Sequence, residues 1–157
     1  GIFFLSIKLS SLFLQITIFT LAHSVTLAMA SLGLVNISPS LVEPLIAASI
    51  VYVAIENFYS KAINLRRSLV VFIFGLLHGL GFASVLAEFG LPIQQFIPAL
   101  IGFNVGVELG QLSVVFILFI AIGYWFNKKN WYRKFITLPI SGAVGLIGSY
   151  WFFERII

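Results

Sequence analysis

The chain has 157 residues, of which 61% are hydrophobic and 9% charged, with a net charge of +4. Soluble domains carry about 45–50% apolar and about 25% charged residues, and a mean hydropathy of +1.11 exceeds what one soluble core of this length can hide. These values exclude a water-soluble globule and a disordered chain; the absence of cysteine excludes a disulfide scaffold. The unbroken apolar runs also exclude a membrane barrel, whose strands alternate. What remains is an all-α, polytopic bundle of transmembrane helices, read as a single transmembrane domain over residues 1–157.

A bilayer with about 30 Å of hydrocarbon needs roughly 20 apolar residues per crossing. Residues 1–7 are too short to span and read as the end of a preceding helix, and Gly1 in place of Met reads as processing or trimming. Five full spans follow, at about 12–35, 41–59, 68–90, 96–126 and 135–153. NISPS (36–40), KAINLRR (61–67), GLPIQQ (90–95) and NKKNWYRK (127–134) connect them.

Successive ends must alternate between the two sides of a membrane. One side then receives Lys8, Lys61, Arg66, Arg67, Lys128, Lys129, Arg133 and Lys134, and the other Arg155 alone. This bias makes the basic side cytoplasmic and the C-terminus external, in a bacterial-type cytoplasmic membrane. The positive charge therefore marks topology and implies no nucleic acid. With no aspartate, the acids are five glutamates. Glu43, Glu88 and Glu154 fall at outer helix ends, Glu56 near an inner end and Glu108 in mid-span. The outer acids would concentrate cations at an outer mouth, or the outer loops simply avoid Lys and Arg. Glu43 also fits a capping box with Ser40 ahead of Pro44, and Glu56 could reach Lys61 or Arg66.

His23, His78 and Glu108 lie about eleven, ten and twelve residues into their spans, near the midplane at ~1.5 Å per residue. Ionisable groups at that depth are costly and are functional candidates by default. Asn104 and Gln111 share a helix face with Glu108, and Thr20 and Thr26 flank His23. Two imidazoles and a carboxylate suit a divalent transition metal such as Ni, Co, Zn or Cu. The same groups could relay protons, or serve as hydrogen-bonding glue between helices. Gly102, Gly106 and Gly110 repeat along the fourth span, as Ser141, Gly145 and Ser149 do along the fifth, while Gly75 and Gly79 flank His78. Such faces predict close helix packing. Phe-Thr-Leu-Ala-His (19–23) and Phe-Gly-Leu-Leu-His (74–78) form a short repeat, each followed by a glutamate, Glu56 or Glu108, on the next span.

The strings FTLAHSVTLAMA (19–30), VEPLIAASIVYVAIEN (42–57), FGLLHGLGFASVL (74–86) and FNVGVELGQL (103–112) resemble the HupE/UreJ family. That resemblance implies a hydrogenase- or urease-associated membrane protein, with nickel permeases as the best-known branch. The nickel branch carries His-x5-Asp-His on its first helix, without counterpart in this chain. Its FHGxAHGxE motif is matched at Gly75, His78 and Gly79, with Phe74 at the first His and Gly81 at the Glu. The resemblance therefore points to a permease or metal-handling protein, with the lipid bilayer and a metal ion as partners, alone or as a homo-oligomer or with accessory subunits. Two other readings stay open: an intramembrane hydrolase using Glu and His to activate water, and a non-catalytic assembly subunit.

Overall fold

In the computed structural model, which describes residues 9–59, 65–88, 93–126, 129 and 131–157, the apolar segments fold as helices, with no strand among the described residues. The segment 1–7, Lys8, Lys61, Lys128 and the side chain of Glu88 lie outside the description. The helices are α1 (Leu9–Ser31), α2 (Pro39–Tyr59), α3 (Leu65–Glu88), α4 (Ile93–Leu118), the short α5 (Tyr124–Phe126) and α6 (Leu138–Glu154). A π-helical turn, Phe119–Gly123, joins α4 to α5, and another, Arg133–Thr137, leads into α6. Five stretches are long and apolar enough to cross a membrane: Ser10–Ser31, Pro39–Tyr59, Arg66–Ala83, Ile97–Phe126 and Arg133–Glu154.

The first span ends earlier than residue 35, and Gly33 is the reason. It takes φ +73°, Leu34 N–H donates to Met29 O at 2.9 Å, and Gly33 N–H donates to Ala30 O at 3.0 Å. This is a Schellman stop, in which a left-handed residue satisfies the last carbonyls. The second span starts earlier than residue 41, because Pro39 needs no amide partner in a first turn. Leu41 and Val42 N–H both donate to Ser38 O. The expected capping box is thereby displaced, and Glu43 sits in the second turn, reaching elsewhere.

The helices pack as neighbours in the order α4, α1, α3, α2, α6. The row curls, because Leu12 of α1 is buried against Val115 and Leu118 of α4 and Ile136 and Ile140 of the last span. The tightest seam joins α1 to α3. There a Cβ at Gly75 would stand 2.6 Å from Phe19 O, and one at Gly79 would collide with Thr26 Oγ1 and His23 O. Thr26 Oγ1 donates across the seam to Leu76 O at 2.6 Å. Gly145 of α6 likewise comes close to Ala54 of α2.

Gly102, Gly106 and Gly110 behave differently from the packing role expected of them. A Cβ on any of the three would meet nothing within 4 Å. The reason is rotational: α4 meets α1 through Phe103, Asn104 and Glu108, and its glycines lie outside that contact. Leu14, Leu21, Val105, Phe116 and Leu146 are exposed, as lipid-facing positions would be.

Candidate functional site

The α1–α3 seam buries His23 completely, at 0% exposure. Its ring is stacked between Phe19 (centroids 6.0 Å, planes 22° apart) and Phe103 (6.2 Å, 16°), with Phe82 edge-on at 5.3 Å. Among the described residues neither ring nitrogen has a hydrogen-bond partner. An unpaired buried polar group of this kind costs about 1–3 kcal/mol.

His78, on α3, is half-buried and points to α2, where its Nε2 lies 3.1 Å from Ser49 Oγ. The Ser49 hydroxyl donates its proton to Ile46 O at 2.6 Å. With the Ser49 proton directed to Ile46 O, Ser49 Oγ is free to accept from an Nε2–H tautomer of His78, which would leave the lone pair on Nδ1. Glu108, on α4, accepts from Thr17 Oγ1 of α1 at 3.3 Å.

The three groups expected near the midplane thus turn to different neighbours. Among the described residues no three His or acidic side chains converge to hold a metal ion. Counting residues along helices fixes depth, whereas the direction each side chain takes depends on how the helices rotate against one another.

Around them runs a polar seam between α1 and α4. Ser24 Oγ lies 2.7 Å from Asn104 Oδ1, Asn104 Nδ2 donates to Leu100 O at 2.8 Å, and Thr17 meets Glu108 further along. Next come Gln15 and Gln111, which line one cavity of about 560 Å³ together with His78, Ser49, Phe19 and Phe74. Gln15 is 3% exposed; its Nε2 donates to Ser68 Oγ at 2.7 Å, and its Oε1 is unpartnered, as is Gln111 Oε1. Sequence reasoning missed Gln15, Thr17 and Ser24. Gln15, Phe19, Ala22, His23 and Thr26 recur at spacings of three and four, a helical face that could have been read from the sequence.

The other acids with described side chains, Glu43, Glu56 and Glu154, are engaged elsewhere. Glu56 pairs with Arg67 at 3.3 Å rather than with Arg66, because Arg67 is the α3 residue turned inward, at 1% exposure; the expected alternative partner Lys61 lies outside the described residues. Arg67 also donates to Asn57 Oδ1 at 2.8 Å, and Asn57 Nδ2 donates to Ser141 Oγ at 2.9 Å, tying α2, α3 and α6 together. Arg133 caps the end of α2 by donating to Phe58 O at 2.8 Å. At the opposite end of the bundle Glu43 pairs with Arg155 at 3.4 Å, and Glu154 lies 4.0 Å from the same guanidinium. Arg155 therefore offsets part of the acidic mouth expected there.

A membrane-spanning α-helical bundle with ionisable groups buried among its helices defines the class of this protein. Residues 1–155 match the family described as HupE / UreJ protein, and the chain belongs to that family. No curated protein and no solved structure matches it.

Proposed function

We propose that this chain is a permease, or a closely related membrane metal-handling protein, for a divalent transition metal of the nickel type. The observation that carries the reading is His23, a fully buried imidazole with two unpartnered nitrogens inside a membrane helix. Helix packing has no use for such a group, since an apolar residue of the same shape would cost less. A cation with affinity for nitrogen donors supplies the missing partner.

In this reading His23 and His78 are the nitrogen ligands, and Glu108 supplies negative charge at their depth. Asn104, Gln111 and Gln15 present neutral oxygens along the route. Glu43 and Glu88 stand at its outer mouth, and the basic ends face the cytoplasm of a bacterial-type cell. The set contains no thiolate, so it binds with an affinity compatible with release. A hydrolase is less well supported: Glu43, Glu56, Glu108 and Glu154 are each engaged with an arginine or a threonine rather than with a histidine.

The test is uptake of Ni²⁺ and Co²⁺ into proteoliposomes by the full chain and by His78→Ala. Uptake by the parent chain, and its loss in a well-inserted His78→Ala variant, is the expected result. Equal uptake by both would remove His78 from the route.

A further inference from the structure

His23 and His78 are separated by one side chain they share. Phe19 lies one helical turn before His23 and stacks on its ring, and the same phenyl meets His78 edge-on with centroids 5.2 Å apart and planes at 70°. Three phenyl rings surround His23, and Phe19 is the one of them that also lines the cavity containing His78, Ser49, Gln15 and Gln111. We propose that the Phe19 ring is a movable partition, which isolates His23 when stacked on it and joins His23 to His78 as one ion site when it swings into the cavity.

The geometry restricts the motion to the side chain. The backbone of Phe19 is held against Gly75, where a Cβ would stand only 2.6 Å from Phe19 O. A helical phenylalanine has two accessible χ1 wells, near 180° and −60°, so its ring can change direction without moving the helix. Space is available on the side of the cavity that Phe19 lines. The cavity is about 560 Å³, whereas an apolar cavity of ~150 Å³ accommodates benzene. The cavity's volume is thus several times what one phenyl ring needs, and His78 lies on its wall. Phe103 and Phe82 close the other sides of His23.

This role rests on the permease reading for the ion, but the partition itself can be measured without one. The experiment follows hydrogen–deuterium exchange at the imidazole C2 position by mass spectrometry, with the full chain in lipid nanodiscs. In the parent chain His23 should exchange much more slowly than His78. In Phe19→Ala, His23 should become as accessible as His78. Phe19→Leu, which keeps an apolar side chain and guards against misfolding of the alanine variant, should fall between. Phe74→Leu is the control: Phe74 holds the same place in the repeat and lines the same cavity, but its ring packs on Tyr52. It should leave His23 protected.

Ni²⁺ added to Phe19→Ala should then protect both histidines together. If the swung state holds about one molecule in ten, removing the ring should also tighten Ni²⁺ binding roughly tenfold. His23 exchange unchanged by Phe19→Ala and Phe19→Leu, or raised equally by Phe74→Leu, overturns the partition. Protection of His78 alone by Ni²⁺ overturns the joined site. Opening of His23 in a protein that binds no Ni²⁺ or Co²⁺ would keep the partition and reject the permease reading. Metal binding with His23 indifferent to Phe19 would do the reverse.

Discussion

Two buried polar groups in this bundle are treated in opposite ways. Where α2, α3 and α6 meet, Arg67 is answered by Glu56 and Asn57, and Asn57 by Ser141. In the α1–α3 seam His23 is just as deeply buried, yet both its nitrogens lack partners and its neighbours are phenyl rings. A charge that holds helices together must be paired, because removing it from water is otherwise prohibitive. A ligand for a passing ion must instead be left unsatisfied until the ion arrives. On the proposed function, the paired group belongs to the architecture and the unpaired one to the ion route.

That contrast can be broken from either side. Removing Glu56 should have the largest effect on stability, since Glu56→Ala leaves Arg67 buried without its counter-charge, at a cost of about 3–5 kcal/mol. Thermal unfolding in detergent should register it as a large drop in Tm. His23→Leu should do the opposite, remaining close to the parent in stability because it removes an unpaired polar group, while losing Ni²⁺ binding by calorimetry. Equal destabilisation by the two substitutions would erase the distinction.

Glycine positions sharpen the same point at smaller magnitude. Gly79→Ala drives a methyl into Thr26 and the His23 carbonyl, and should destabilise by about 1–3 kcal/mol as the seam is forced apart. Gly106→Ala meets nothing within 4 Å and should stay within about 0.5 kcal/mol of the parent. The smallest effect belongs to Glu43→Gln at the exposed Arg155 pair, worth at most about 1 kcal/mol and weakening further as salt is raised.

The five spans were legible because hydropathy along the chain is a local property. The ends were less so: Gly33 in a left-handed turn stops α1 at Ser31, and Pro39 starts α2. Side-chain direction was not legible. Which of Arg66 and Arg67 turns inward, and which neighbours His23, His78 and Glu108 face, depends on the rotation of each helix. Gly75 and Gly79 set that rotation for α1 against α3. The glycines of α4 carried the same sequence signal, yet a Cβ on any of them meets nothing within 4 Å among the described residues, since a small-residue stripe does not specify its partner.

The central claim is that the unpartnered imidazole exists to receive a metal ion. Equilibrium Ni²⁺ binding to the full chain in nanodiscs, compared with His23→Leu at matched stability, tests it most directly. The account predicts binding by the parent that falls with acid as the histidines protonate, and its loss in His23→Leu. Undiminished binding by a folded His23→Leu variant would contradict it.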